Sequence, residues 1–244
     1  MTERRRADRL LVERGLFESR AKAQAAIAAG LVTANGIPVG KASDEIVADA
    51  VVQARPEHPW VSRGGVKLAA ALDYFGIDPK GRVCLDVGAS TGGFTHVLLE
   101  RGARRIYAVD VGRGQLHQSL RANPDIVFLE ETDIRALSPA LLPDPPDLVV
   151  ADVSFISLKL VLPPALALAR PPAQLIALIK PQFEAGRAHL KKGIVRDPLV
   201  HQAVCDDISA FVAGLGWNVL GVVPSPVTGG NGNREFLLGA KHDV

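Results

Sequence analysis

The chain of 244 residues is long enough for one full-sized domain and a small companion. It is 48% hydrophobic and 22% charged with a net charge of +2, which excludes a disordered chain and does not by itself demand a polyanionic partner. No uninterrupted apolar run reaches the roughly 18–20 residues that cross a bilayer, and MTERRRADRL has no apolar segment behind its charge. Cys84 and Cys205 stand far apart without metal-ligand spacing and are expected as buried free thiols in a cytoplasmic protein.

Residues 1–55 read as a separate small α+β module. RADRLLVERG predicts a short amphipathic helix ending at Gly15. Ser19 is a candidate N-cap for SRAKAQAAIAAG, which Gly30 closes. In LVTANGIPV, Asn35-Gly36 between two apolar runs predicts a hairpin, and EIVADAVVQA adds a strand. Residues 1–41 hold eight Lys/Arg against four Asp/Glu, a local basic excess suited to phosphate.

The stretch RADRLLVERGLFESRAKAQAAIAAGLVTANG resembles the S4-type RNA-binding domain, with an Arg-rich first helix, Ser-Arg opening the second and a V-x-x-NG exit. The resemblance implies contact with structured RNA. Arg4, Arg5, Arg6, Arg9, Arg20, Lys22 and Lys41 are the candidate contacts in this module.

Pro-rich PEHPWVSR, residues 56–63, reads as a linker, and residues 64–244 as the main domain. GGVKLAAALDYFG predicts a helix with Leu68, Leu72 and Phe75 on one face. Strand and helix then alternate. RVCLDVG, RRIYAVDVG, DIVFLEETD, PDLVVADVS and AQLIALIK are strands, separated by GFTHVLLERG, GQLHQSLRAN and SLKLVLPPALALA as helices. PLVHQAVCDDISAFVAGLG is a further helix, followed by strands WNVLGVVPS and NREFLLGAK. Such alternation predicts an α/β fold with a mostly parallel sheet covered on both faces. The last two strands, joined only by a loop, should form an antiparallel hairpin. That ending resembles the Rossmann-like fold of S-adenosyl-L-methionine (SAM) methyltransferases.

LDVGASTGGFT places Asp86, Gly88, Ser90, Gly92 and Gly93 at the first strand-to-helix turn, where glycines let a ligand approach the backbone. No phosphate-binding lysine of the P-loop kind is present, so ATP is not expected. A carboxylate at Asp86 suits the cationic side of SAM. Asp110, ending YAVD, is placed for ribose hydroxyls, and Asp133 for an adenine edge. Three acids after three successive strands lie where open α/β sheets bind ligands.

Lys67 follows SRGG, Asp152 ends LVVAD, Lys180 ends LIALIK, and Glu235 begins NREFLL. Asp152 and Lys180 are expected at strands neighbouring the cofactor strand. This K-D-K-E order resembles the tetrad of FtsJ/RrmJ-type ribose 2′-O-methyltransferases. Together WVSRGGVKL, CLDVGASTGGFT, ADVSFISL, LIKPQFEAGR and GNREFLL resemble the TlyA family over nearly the whole chain. Its members pair an S4-type domain with this methyltransferase domain and are described as 16S/23S ribosomal RNA cytidine-2′-O-methyltransferases, many of them labelled hemolysins.

The resemblance implies SAM as cofactor, ribosomal RNA or ribosomal subunits as partner, and Lys67, Asp152, Lys180 and Glu235 as catalytic residues. A ribose 2′-hydroxyl is a weak nucleophile that must lose its proton as it attacks. Lys180 is the candidate general base, or the group that orients the hydroxyl and stabilises its developing charge. Burial and the like charge of Lys67 favour its neutral form, whereas Asp152 and Glu235 oppose it. Pro181 is expected to stop the strand and hold Lys180 at its mouth.

Arg63, Arg113, Arg187, Lys191 and Lys192 are further candidates for phosphate. Gly64, Gly65 and SPVTGGNGNRE are expected to shape the RNA entrance. Trp60, Phe155 and Phe183 are the few aromatics available for base stacking or core packing. The histidines show no metal spacing, and no metal is expected. A non-catalytic ribosome-assembly factor is the alternative reading. A membrane-lytic hemolysin is disfavoured, since no membrane span and no strongly amphipathic cationic helix is present.

Overall fold

A computed structural model describes residues 3–243. The chain divides into two compact units, Met1–Pro59 and Trp60–Val244. The first begins with strand β1 (Arg4–Arg6) and helices α1 (Ala7–Glu13) and α2 (Arg20–Ala28). Strands β2 (Val32–Ala34), β3 (Ile37–Pro38), β4 (Glu45–Val47) and β5 (Val52–Ala54) follow. Leu11, Phe17, Ala23, Ile27 and Val32 form its core. Ser19 caps α2, accepting from the Lys22 amide at 3.3 Å. Asn35 (φ 50°) and Gly36 (φ 78°) make the two-residue turn that joins β2 to β3, as the Asn-Gly pair predicts.

Two expectations for this unit are corrected. Arg6, expected to open the helix RADRLLVERG, instead ends a strand with Arg4 and Arg5 that runs antiparallel to β4, with Arg5 opposite Ile46. EIVADAVVQA is two strands in two different sheets, because the chain turns at Ala50, whose amide donates to the Val47 carbonyl at 3.0 Å.

The second unit begins with α3 (Gly64–Phe75), closed by Gly76 in the left-handed conformation. Next come β6 (Val83–Val87), α4 (Gly93–Glu100), β7 (Arg105–Val109), α5 (Gln118–Arg121), β8 (Ile126–Leu129) and β9 (Leu148–Ala151). The chain continues through α6 (Leu158–Ala167), β10 (Ala173–Ile179), α7 (Pro181–Glu184) and α8 (Pro198–Gly214). It ends in β11 (Asn218–Pro224) and β12 (Phe236–His242). The seven-stranded sheet has the order β11-β12-β10-β9-β6-β7-β8. Neighbours from β10 to β8 pair in parallel, and β12 runs antiparallel between β10 and β11.

Alternate residues of each strand feed two cores. Leu85, Val149 and Leu175 face the layer of α6 and α8, whereas Cys84, Val150 and Ile176 face that of α3 and α4. Cys84 and Cys205 are free and buried, and burial raises the Cys205 thiol to about 11. Trp60 belongs to this unit and packs on α3, where any side chain at Gly65 would overlap its ring. GQLHQSLRAN yields only the single helical turn of α5. Its preceding loop is drawn aside by Asp110, whose carboxylate accepts the Gly112 amide at 2.7 Å. Among the described residues no helix is long and apolar enough to cross a membrane.

Candidate active site

Strand order reverses between β7 and β9 on either side of β6, which opens a crevice at the C-terminal ends of these strands. The glycine turn after β6 lies in it. At Gly88 (φ 84°) an added Cβ would stand 2.6 Å from the Asp152 carbonyl oxygen, so glycine is required there. Gly92 (φ 90°) precedes α4, and a side chain on Gly93 would overlap Ser62. Ser90 (φ 47°) donates its amide to Asp110 Oδ2 at 2.8 Å. Asp110 therefore ties the glycine turn to the loop after β7.

A cavity of about 540 Å³ lies over this turn, lined by Gly88, Ser90, Asp110, Val111, Asp133 and Asp152 among others. Asp133 caps a short 3₁₀ turn and is held by Arg135 at 2.6 Å, a pairing that lowers its pKa below the ordinary carboxylate range. Asp86 departs from its expected place. It lines neither this cavity nor the one beside it and is 0% exposed. Its Oδ2 accepts from Thr95 Oγ1 at 2.6 Å, whereas Oδ1 has no partner. Burial raises its pKa to about 7. The reason is register: Asp86 points with Cys84 toward the α3–α4 face, under the turn rather than out of the strand end.

An adjoining cavity of about 590 Å³ is lined by Lys67, Asp152, Lys180 and Glu235 together, with Arg63 at its edge. Gly88, Ser90, Asp152, Ser154 and Phe155 line both cavities. Sheet register brings the four polar residues together. Val87 pairs with Ala151, so Gly88 and Asp152 emerge side by side. Ile179 pairs with Phe236, so Lys180 and Glu235 leave the sheet at the same level. Lys67 arrives from α3 on the same side.

Lys180 Nζ lies 2.6 Å from Asp152 Oδ1 and donates to Ser154 Oγ at 2.8 Å. Lys67 Nζ lies 2.5 Å from Glu235 Oε2. Lys67 and Lys180 are each 8% exposed and Glu235 4%. Two ion pairs thus face one cavity, that of Lys67 and Glu235 buried and that of Lys180 and Asp152 partly so, and each lysine has its own carboxylate. The two acids expected to oppose the like charge of Lys67 are divided one to each lysine, Asp152 with Lys180 and Glu235 with Lys67.

Asp152 follows β9, which neighbours the cofactor strand as expected. Two placements differ: Lys180 follows β10, which β9 separates from the cofactor strand, and Glu235 stands one residue ahead of β12. Pro181 does end the strand, but as the first residue of helical turn α7, a position where its missing N–H costs nothing. Ser154 was missed, and only its spacing two residues beyond Asp152 signalled it. Phe155 is 91% exposed at φ 65° and meets Phe183 with ring centroids 5.0 Å apart.

In the first unit, Asp8 is fully buried. It receives Arg6 at 3.1 Å, Arg20 at 2.6 Å and Gln24 at 2.8 Å. These donors, Arg6 foremost, hold its carboxyl far below the usual range. Arg5 pairs with Glu3 and Glu13, Lys22 with Glu18, and Arg4 donates to the Glu45 carbonyl. Arg9 and Lys41 are exposed and carry no ion pair among the described residues. Several candidate RNA contacts are therefore also structural cations.

A sheet with this strand order and antiparallel ending, its glycine turn facing a cavity, defines a Rossmann-like methyltransferase. A candidate SAM-dependent methyltransferase from Listeria monocytogenes shares the fold, with TM-score 0.54 and 13% identity over 73% of this chain and 100% of that one. Residues 60–242 match the model of FtsJ-like methyltransferases and residues 5–52 that of the S4 domain. The chain belongs to the FtsJ-like methyltransferase family, in the TlyA group that carries an S4 domain. It is 45% identical to the 16S/23S rRNA (cytidine-2′-O)-methyltransferase TlyA of Mycobacterium tuberculosis, over 98% of this chain and 90% of that protein. A solved structure of a hemolysin candidate from Streptococcus thermophilus matches with TM-score 0.77 and 38% identity, over 100% of this chain and 90% of that one.

Proposed function

We propose that this methyltransferase uses SAM to methylate the ribose 2′-hydroxyl of a cytidine in ribosomal RNA. The observation that carries this reading is Lys180, nearly buried and held by Asp152 and Ser154, in a cavity that adjoins the one over the glycine turn. The residues over that turn fit the cofactor. Val111, 72% exposed, lines the same cavity as the Asp110 carboxylate, which pairs an apolar surface with a hydroxyl acceptor as a nucleoside requires. Asp110, Gly88, Ser90 and the segment around Asp133 would hold it. SAM, when bound, supplies an electrophilic methyl group.

The protein's own side chains do the rest. Lys180 orients the ribose hydroxyl and either accepts its proton or stabilises the charge that grows on the oxygen. Asp152 and Ser154 fix the lysine's amine, and a preorganised donor of this kind costs no rearrangement at the moment of reaction. Lys67 and Glu235 form the opposite wall and hold the incoming ribose against Lys180. The exposed cations of the first unit, Arg9 and Lys41 with Arg4, engage RNA phosphates, and Arg63 does so at the cavity edge.

Labelled methyl transfer from SAM to purified, unmodified ribosomal subunits tests this, with the product digested to nucleosides. The expected product is 2′-O-methylcytidine. Label on a base, or on another nucleoside, would contradict the assigned acceptor. No transfer to either subunit would overturn the reading.

A further inference from the structure

Two loops that carry active-site residues are joined at four places. Lys180 reaches Asp152 at 2.6 Å and Ser154 at 2.8 Å, and Phe183 meets Phe155 with centroids 5.0 Å apart. The fourth join is Glu184, which lines neither cavity. Its Oε2 accepts from Ser157 Oγ at 2.5 Å and its Oε1 from the Leu158 amide at 2.8 Å. The carboxylate thus caps the first turn of α6 from outside that helix, where charge and unpaired N–H groups favour an anion.

We propose that Glu184 is a positioning residue that sets the geometry of Lys180 and Asp152 by locking the 152–158 loop to the turn after β10. Segment 180–184 is stiff enough to transmit this. Pro181 fixes its start, the Phe183 amide donates to the Lys180 carbonyl at 2.9 Å, and that of Ala185 to Pro181 at 2.8 Å. The opposing loop needs an external hold. Phe155 sits at φ 65°, a conformation unfavourable for a bulky residue that persists only where surrounding bonds enforce it. Removal of the Glu184 bonds lets that loop relax and carries Asp152 and Ser154 off the lysine. Around Glu184 the charged neighbours are Lys159 and Asp207, which are themselves paired at 2.7 Å.

For its activity arm the proposal rests on the methyl transfer proposed above; its structural arm does not. The full chain is labelled with ¹³C-lysine, and the Lys180 ε-carbon resonance is assigned through Lys180→Arg. Without cofactor or RNA, Glu184→Ala should shift or broaden that resonance, and Glu184→Gln, which keeps an acceptor oxygen, should restore most of it. Single-turnover methyl transfer at saturation should fall at least about tenfold in Glu184→Ala. SAM and RNA affinities should stay within about twofold, and Glu184→Gln should recover most of the rate, since the interaction acts on geometry rather than binding. An unmoved Lys180 resonance in Glu184→Ala would overturn the proposal. So would a rate loss matched by an equal loss of RNA affinity. Absence of methyl transfer by the unaltered protein would instead overturn the functional reading, and the resonance comparison would still decide the role of Glu184.

Discussion

Lys67 and Glu235 stand 168 residues apart in the chain and meet at 2.5 Å, Nζ to Oε2, with both side chains almost withdrawn from water. Removing one partner of such a pair leaves an uncompensated buried charge, whereas replacing both by apolar groups is close to neutral. Glu235→Ala should therefore destabilise the second unit by about 3 kcal/mol. The double variant Lys67→Met/Glu235→Leu should regain most of that stability and still lack methyl transfer. Urea unfolding with activity assays checks this; a double variant that regained activity would show that the pair serves stability alone.

Phe155 should behave in the opposite way. At 91% exposure its side chain contributes little to folding, so Phe155→Ala should change stability by no more than about 0.5 kcal/mol. Its place on both cavities suits it to stack an unpaired base, an interaction worth about 1–3 kcal/mol. RNA binding or turnover should fall accordingly with SAM affinity unchanged, as measured by filter binding and calorimetry.

Asp86 gives the second unit a pH dependence of definite sign. Its folded-state pKa of about 7 stands above the ordinary value of about 3.9. The fold favours the protonated form, so this contribution is greatest below pH ~4 and is lost as pH rises toward about 7. Asp86→Asn should raise Tm at pH 8 and change it little at pH 4. An equal change at both pH values would contradict the assignment.

Asp8 acts with the reverse sign in the first unit. Arg6, Arg20 and Gln24 depress its pKa, so its contribution is present above the unfolded value and is lost as pH falls into the acid range. Asp8→Asn should cost about 2 kcal/mol at neutral pH, the scale of buried hydrogen bonds to charged groups. The cost should begin to shrink only below about pH 4, the unfolded value, and vanish well below about pH 3. Thermal melting of the full chain and of Asp8→Asn at pH 7 and at steps down to about pH 2 would resolve it.

The contrast between Asp8 and Lys180 shows what sequence carries. Lys180 was legible because an apolar run, a polar residue and a proline succeed one another locally. The alternation of strands and the Asn35-Gly36 hairpin were legible for the same reason. Pairings over long separations were not. Nothing near Arg4–Arg6 announces their pairing with β4, and nothing near Phe236 says that β12 inserts between β10 and β11. Lys67 and Glu235 were linked only through family resemblance. Asp86 was misplaced because composition locates a residue at a strand end but does not say which face of the strand it leaves from. Glu184 carried no signal, since an acid beside a helical turn looks like a solvated surface residue until its two bonds to Ser157 and Leu158 are seen.

Methyl transfer to unmodified ribosomal subunits by the unaltered protein and Lys180→Ala, with SAM affinity measured on both, tests the role of Lys180 most directly. The expected result is 2′-O-methylcytidine formed by the unaltered protein and a loss of at least about 100-fold in Lys180→Ala, the lower range for a positioned acid–base group. SAM affinity should be preserved. Transfer by Lys180→Ala at the unaltered rate, with the same product, would contradict it.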